Sequence, residues 1–234
     1  MTCTPAFSAL LPYAARHIPA HQPLQPTPQR HAVQLPDGSH LELPLRALPG
    51  GSQAIALLMS NQCDFAVEDA LAPLLVQAAQ AFAPEVIAAV PTMGLDYGRL
   101  VARGLGQPHY VALGHSRKFW YDEALSMHTT SSTSTLGKQV YLDPALVERV
   151  QGKRVLLVDD VINTGESAAC AIRLLQRAGA DVVGMLNVLS EGHAWRPVLN
   201  TLGTDWSQRV VALGHIPMFA ADGQGGWQPM AETL

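Results

Sequence analysis

The sequence Val-Leu-Leu-Val-Asp-Asp-Val-Ile-Asn-Thr-Gly-Glu-Ser, residues 155–167, sets the architecture of the chain. Its first four residues are all apolar, which is typical of a strand that is buried on both faces of a parallel sheet. Two adjacent carboxylates, Asp159 and Asp160, come where that strand is expected to end. A helix follows, and we expect it to run through Ala178 and to stop at Gly179. The stretch therefore predicts a strand–loop–helix unit with an acidic pair at the end of its strand.

The loop of this unit has the composition of a site for a phosphorylated sugar. Thr164, Gly165 and Ser167 put small residues at the start of the helix, where unpaired backbone N–H groups and the helix dipole attract anions. Carboxylates beside such a loop suit the hydroxyl groups of a sugar, or a hard metal ion that is held partly through the ligand. An ordinary strand–helix unit with a solvated acidic loop is the alternative. Because both features occur together, the sequence favours the sugar phosphate.

The apolar run, the acid pair and the Thr-Gly-x-Ser pattern together resemble the phosphoribosyl pyrophosphate (PRPP) loop of the type I phosphoribosyltransferases, closest to the adenine/xanthine branch. The resemblance covers about residues 50–195 and implies an α/β fold, a Rossmann-like parallel sheet flanked by helices, with a small hood. It implies that Asp159 and Asp160 bind the ribose, act in the reaction and hold Mg²⁺, mostly through PRPP and water. It also implies PRPP contacts from the loop residues Val161, Ile162, Asn163, Thr164, Gly165, Glu166 and Ser167.

The 234 residues suit one domain with modest extensions. Residues 1–30 are rich in Pro, His and Gln and predict a poorly ordered lead-in or an arm packed on the surface. We expect residues 31–234 to form a single domain with its core at about 54–200. The hood would come from about 31–50 and from the C-terminal segment, whose last residues, 222–234, are expected to fray.

Composition narrows the function classes. A formal net charge of −4 argues against a broad nucleic-acid surface. No stretch approaches the roughly 20 apolar residues of a membrane span, and the N-terminus lacks the basic start of a secretory signal. Cys3, Cys63 and Cys170 show no metal or redox spacing. We therefore expect a soluble cytoplasmic protein that binds neither nucleic acid nor membrane.

Periodicity and turn signals predict the remaining elements. We expect strands over residues 31–35, 40–45, 85–90, 109–113, 140–142, 181–189 and 209–213. We expect helices over residues 64–82, about 95–104 and 144–150. Pro73 is expected to kink or break the first helix. Residues 54–59 fit either a strand or the start of a helix.

Two further segments follow core strands and become site candidates. The resemblance implies that the backbone amides of Thr92, Met93 and Gly94 reach the pyrophosphate of PRPP. Arg117 and Lys118 are adjacent cations just past the next strand, where they suit an anionic group. The resemblance places such a pair on the pyrophosphate, and an exposed basic corner is the alternative.

Residues 119–138 begin with an aromatic cluster and continue with a run of Thr and Ser, which predicts a mobile loop. The resemblance implies that this loop closes over the reacting centre. Glu123 on it is a candidate proton acceptor, because Asn163 stands where hypoxanthine-guanine enzymes carry an Asp. Water or a backbone group are the alternatives. The aromatic cluster, Phe119 to Tyr121, is alternatively an interface patch, since family members often form homodimers here.

Two residues near the predicted 181–189 strand are candidates to bind a base. Trp195 follows the end of that strand and is placed to stack on a base, with packing in the core as the alternative. Asn187 is the polar residue of the strand, where hypoxanthine-guanine enzymes use a Lys to read an oxo group. Both this departure and Asn163 disfavour a hypoxanthine-guanine enzyme and leave adenine or another base open.

The resemblance implies a Mg²⁺-dependent phosphoribosyltransferase of nucleotide salvage. Such an enzyme joins a nucleobase, here a purine in first place, to PRPP and releases pyrophosphate. A PRPP-binding regulator of the same fold, without turnover, is the alternative. A regulator needs the phosphate loop and the acid pair but can lose the pyrophosphate cations and the closing loop. This chain keeps candidates for all four, which favours the enzyme.

Overall fold

The computed structural model describes residues 14–128, 139–203 and 205–234. Its strands are β1 (Arg16–Ile18), β2 (Arg30–Gln34), β3 (His40–Ala47), β4 (Gln53–Ala56), β5 (Val86–Ala89), β6 (Val111–Ala112), β7 (Ser126–His128), β8 (Gln139–Tyr141), β9 (Arg154–Ile162), β10 (Asp181–Glu191), β11 (Val210–Ile216), β12 (Phe219–Ala221) and β13 (Trp227–Pro229). Its α-helices are α1 (Phe65–Gln80), α2 (Gly94–Gly104), α3 (Val147–Val150), α4 (Glu166–Arg177) and α5 (Trp195–Leu199).

The core is a parallel sheet with the strand order β11-β10-β9-β5-β6. Helices α1 and α2 cover one face of it and α4 covers the other. Residues Val155 to Val158 of β9 are fully buried, as expected for a central strand with helices on both sides. The predicted α/β sheet flanked by helices is confirmed.

Strand β9 is longer than the sequence predicted. It was expected to end at the acid pair, but it continues to Ile162 because β10 pairs with it over that whole length. Strand β5 on the other side stops earlier, with Ala89 opposite Val158. The connections leave β5 and β9 in opposite directions across the sheet, which is where open α/β sheets have their ligand crevice. Asp159 and Asp160 therefore lie on β9 just past the end of β5.

The hood is a second, antiparallel sheet of six strands. Its order is β1-β3-β4-β12-β13, and β2 also pairs with β3. It takes its strands from both ends of the chain, including β1 from the region expected to be an arm. The expectation that residues 222–234 fray is wrong, because β13 pairs with β12 across a turn in which Asp222 accepts hydrogen bonds from the N–H groups of Gln224 and Gly226.

The helices agree with the sequence in place but differ in detail. Helix α1 runs through Pro73 without a break, with Val67, Leu71 and Leu75 buried on one side. The predicted helix 144–150 is a 3₁₀ turn followed by the short α3. None of the helices in the described part of the chain is long and apolar enough to cross a membrane.

The segment predicted as a mobile loop is partly ordered into a hairpin. A 3₁₀ turn at Glu123–Leu125 leads into β7, which pairs with β8. Residues 129–138 of the predicted loop lie outside the described residues. Phe119 is 97% exposed and Trp120 is 53% exposed at the start of the segment. The role of this aromatic cluster as an interface stays a prediction.

Helix α2 lies close against β5, and Gly98 is the residue that permits it. A β-carbon on Gly98 would be 2.5 Å from the β-carbon of Ala89. We expect Gly98→Ala to lower the free energy of unfolding by about 1–3 kcal/mol, because backbone has to move to make room. Helix propensity alone would raise it by roughly 0.5–1 kcal/mol. Urea unfolding of the variant measures whether the free energy of unfolding falls or rises.

The matched control is Arg103→Ala on the exposed side of α2, which should change the free energy of unfolding by less than about 0.5 kcal/mol. A Gly98→Ala protein as stable as this control would contradict the close packing of α2 on β5.

Candidate active site

A cavity of about 200 Å³ opens at the crevice between the ends of β5 and β9. Segments from both strands and the start of α4 form its wall. The lining residues are Val90, Pro91, Asp159, Asp160, Val161, Ile162, Asn163, Thr164, Gly165, Ser167 and Ala168. The structure therefore brings the acid pair and most of the predicted phosphate loop together around one space.

Asp159 is buried and Asp160 is partly buried, and neither has a cationic partner within the described residues. Asp159 is 8% exposed, and the backbone N–H of Asp160 donates to Asp159 Oδ1 over 2.9 Å. Burial raises the pKa of both carboxyls, and the neighbouring charge of Asp160 raises that of Asp159 further. The ion pairs within the described residues include neither carboxylate. A ligand that brings hydroxyl donors or a cation would stabilise the ionised pair.

The turn before α2 packs directly against Asp159. A β-carbon on Gly94 would lie 2.6 Å from Asp159 Oδ1 and 2.9 Å from its Cα, so only glycine fits. The buried Ser60 donates to Asp96 Oδ2 over 2.6 Å and anchors the first turn of the helix. Thr92 and Met93 do not line the cavity, whereas Pro91 does. The sequence analysis singled out neither Ser60 nor Pro91.

The phosphate loop turns into α4 through a left-handed residue. Gly165 has φ of +80°, and a β-carbon there would come within 3.1 Å of the backbone of Trp195. Thr164 and Ser167 face the same cavity at the helix N-terminus. Ile162 is buried in the core, so it offers the cavity backbone rather than side chain. This geometry presents N–H groups to an anion.

The two candidate base-binding residues lie away from that cavity. Trp195 is 5% exposed, its indole Nε1 donates to the carbonyl of Gly192, and its backbone supports Gly165. Asn187 is fully buried in register with Asp159, and its amide has no hydrogen-bond partner among the described residues. Contact of either residue with a base stays a prediction.

The cationic segment after β6 is tied to the cavity wall by a histidine. His115 Nε2 lies 3.1 Å from the carbonyl oxygen of Pro91, and its Nδ1 lies 3.0 Å from that of Gln139. Beyond it, Arg117 forms an ion pair of 2.7 Å with Glu123, and both side chains are more than half exposed. Lys118 is exposed and forms no salt bridge within the described ranges. Two residues predicted to act in the reaction thus pair with each other.

Glu191 lies directly behind the cavity wall, and the sequence analysis did not single it out. It ends β10, it is 4% exposed, and its Oε2 accepts a hydrogen bond from Asn163 Nδ2 in the cavity wall. Burial raises the pKa of its carboxyl to about 7. The available signal was the polar pair Ser-Glu directly after the apolar run of that strand, which was expected to stop at Leu189.

The donor atoms present fit Mg²⁺ held largely through a ligand. Within the described residues, no group of three or more His, Cys, Asp and Glu is arranged to hold a metal. Asp159 and Asp160 offer carboxylate oxygens beside the phosphate loop. Since Mg²⁺ is usually bound by one or two carboxylates together with substrate phosphates, these two residues suffice.

Comparisons with known proteins agree on one family. A family model described as a phosphoribosyl transferase domain matches residues 65–215. Orotate phosphoribosyltransferase of Staphylococcus aureus is 29% identical over 109 residues, which are 46% of this chain and 43% of that protein. Adenine phosphoribosyltransferase of Rhodococcus opacus is 40% identical over 112 residues, which are 48% of this chain and 60% of that protein. The chain thus matches about half the length of these curated relatives.

The fold has a counterpart among solved structures. Adenine phosphoribosyltransferase of Thermoanaerobacter pseudethanolicus superposes with a TM-score of 0.56 and 15% identity, covering 74% of this chain and 95% of that one. At this identity the likeness shows the fold, which is the one that the sequence resemblance implied.

The buried carboxyl of Glu191 gives stability a pH dependence with a definite sign. Between its ordinary pKa of 4.5 and the raised value of about 7, the folded chain binds more protons at this group than the unfolded chain. The free energy of unfolding therefore falls as pH rises through that window, by up to about 3 kcal/mol at ~1.4 kcal/mol per pKa unit. Glu191→Gln lacks this term, so it should gain stability relative to wild type at pH 8. Thermal unfolding at pH 4 and pH 8 measures the difference.

Glu85→Gln is the matched control. Glu85 is exposed, and hydrogen bonds from the Arg154 backbone and the Lys153 side chain lower the pKa of its carboxyl, so its removal should act in the opposite direction. If wild type and Glu191→Gln show the same pH dependence, the burial of an ionisable Glu191 is wrong.

Proposed function

Because the chain belongs to the phosphoribosyltransferase family, we propose that it joins a nucleobase to C1 of PRPP and releases pyrophosphate, in a Mg²⁺-dependent reaction. The observation that carries the proposal is the single cavity in which the acid pair meets the phosphate loop. Purines come first among the bases, with support from the relative named adenine phosphoribosyltransferase. Pyrimidines come second, because another relative is named orotate phosphoribosyltransferase.

The residues around the cavity suit the two ends of the sugar. The N–H groups of the loop 163–167 hold the 5′-phosphate at the start of α4. Asp159 and Asp160 accept hydrogen bonds from the ribose hydroxyls. As the bond to pyrophosphate breaks, positive charge builds up on the ribose, and these carboxylates stabilise it electrostatically. The resulting catalysis depends mainly on position and charge.

The cations after β6 serve the departing pyrophosphate. Arg117 reaches it by exchanging its partner Glu123 for the pyrophosphate oxygens, and an exposed ion pair of this kind costs only about 0–1 kcal/mol to break. That exchange frees the Glu123 carboxylate as a candidate to accept the proton of the incoming base. When bound, Mg²⁺ supplies positive charge to the pyrophosphate and the ribose hydroxyls. We also propose that the protein is cytoplasmic, forms a homodimer and acts in nucleotide salvage.

Pyrophosphate release tests the function directly. We expect the purified protein to release pyrophosphate from PRPP and Mg²⁺ only when a suitable purine or pyrimidine base is added. The double variant Asp159→Asn, Asp160→Asn should lose Mg²⁺-dependent PRPP binding and release, by at least roughly a hundredfold, because both charge stabilisation and ribose contacts are removed. A base panel with a coupled pyrophosphate assay makes the measurement.

Two outcomes would redirect the proposal. Calorimetric binding of PRPP without release for any base would identify a PRPP-binding regulator. Absence of both binding and release would mean that residues 155–167 do not form a PRPP site.

Lys118 tests the assignment of the pyrophosphate end. We expect Lys118→Ala to weaken PRPP binding by about tenfold, as for the loss of one charge-assisted hydrogen bond, while binding of ribose 5-phosphate changes little. Titration calorimetry with both ligands makes the comparison, and Arg103→Ala on α2 is the control for loss of a surface charge. Equal losses for the two ligands would place Lys118 away from the pyrophosphate.

A further inference from the structure

The contact between Asn163 and Glu191 joins the cavity wall to a buried charge. Asn163 lines the cavity, whereas Glu191 lies behind it at the end of β10. The amide Nδ2 of Asn163 donates a hydrogen bond to Glu191 Oε2. Among the side chains of the described residues, Asn163 is the one that forms a hydrogen bond with this carboxylate. The pair therefore connects the surface that meets a ligand with a group that the ligand does not touch.

Above its raised pKa of about 7, the Glu191 carboxyl is ionised, and it then fixes which end of the Asn163 amide points away from it. A carboxylate only accepts hydrogen bonds, whereas an Asn side chain has a donor end and an acceptor end. Because Glu191 engages Nδ2, the Oδ1 end of Asn163 is left for the ligand, and it forms no hydrogen bond within the described part of the chain. Asn163 is therefore held as an acceptor, although its amide could in principle present either end.

The position of the pair points to the base rather than to the phosphate. The acid pair and the start of α4 line the cavity, and Asn163 lies between them on the side toward β10. The end of β10 lies on the far side of β9 from the crevice, next to β11, where Ser190 Oγ donates to Nδ1 of His215 over 3.0 Å while Nε2 of that ring donates to a backbone carbonyl. Strand β11 carries Gly214, which packs against Val33 of the hood strand β2. Glu191 thus lies where the hood closes on the core.

We propose that Glu191 is a positioning residue that holds Asn163 as a hydrogen-bond acceptor and so makes the site select a base with an exocyclic amino group over the matching base with an oxo group. The inference rests on the proposed transfer to a nucleobase. An amino group donates to Asn163 Oδ1. An oxo group would instead place a second acceptor opposite Asn163 Oδ1, and no hydrogen bond would form. A site built for a hydrogen bond discriminates strongly against a ligand that leaves its polar group unpaired.

Adenine and hypoxanthine provide the test, because they differ in carrying an amino or an oxo group at the same carbon. At pH 8, where Glu191 is mostly ionised, we expect wild type to have a kcat/KM at least roughly tenfold higher for adenine, that is about 1.4 kcal/mol. In Glu191→Leu the amide of Asn163 is free to rotate, so the adenine-to-hypoxanthine ratio should fall about tenfold. A merely structural effect of the substitution would lower both rates by the same factor and leave the ratio unchanged.

Glu191→Gln keeps the shape of the side chain and covers the case in which the leucine variant does not fold. Its amide can either accept from Asn163 or donate to it, so both orientations become available and the ratio should again fall. In an Asn163→Ala background, Glu191→Gln should no longer change the ratio, because the residue acts through Asn163. Glu85→Gln, far from the cavity, is the control for loss of a carboxylate.

The outcomes separate the inference from the function on which it rests. Base-dependent release with a ratio that stays unchanged in both Glu191 variants overturns the inference and leaves the transferase in place. A wild-type preference for hypoxanthine, or use of orotate alone, also overturns it. Absence of release with every base overturns the proposed function and the inference with it.

Discussion

Two neighbouring carboxylates on β9, Asp159 buried and Asp160 partly buried, are the constraint on which this structure depends. Taking Asp159 and Asp160 out of water raises both of their pKa values, and within the described residues no cation offsets their charge. The surrounding chain is shaped to keep them there, because β5 ends early to leave a crevice and Gly94 lets the next helix start against Asp159. The site is thus suited to a ligand that brings hydroxyl donors or a cation to these two carboxylates.

The extra length of β10 organises the chain on the far side of β9 from the crevice. By continuing to Glu191 it supports the end of β9, and it brings a carboxylate under Asn163 and a hydroxyl under His215. In the proposed function, β9 would contribute to the ribose side of the site and β10 to the side next to the hood. A single parallel sheet can serve two parts of one ligand in this way because its strands end at different heights.

The sequence predicted the features that are encoded locally. The buried strand at 155–158, the small-residue loop that opens α4 and the stop at Gly179 all depend on neighbours in the chain, and all agree with the structure. The continuation of β9 and the pairing of β13 depend on partners far away in sequence, so periodicity and turn signals do not indicate them. Glu191 directly follows the apolar run of β10, but its burial depends on packing that the local sequence does not show. The roles of Trp195 and Asn187 likewise depend on which strand ends meet the cavity.

The hood sheet joins β4, from the first quarter of the chain, to β12, which follows the last core strand. The hood sheet can therefore close only after the whole core sheet has been synthesised. The loop between its two central strands spans residues 57–218, which is most of the domain. Until β12 arrives, β4 presents an open edge with unpaired N–H and C=O groups beside a formed crevice. A nascent or truncated chain in that condition is a template for strand exchange with another copy. The order of the hood strands therefore determines the stage of synthesis at which the protein is most exposed to misassembly.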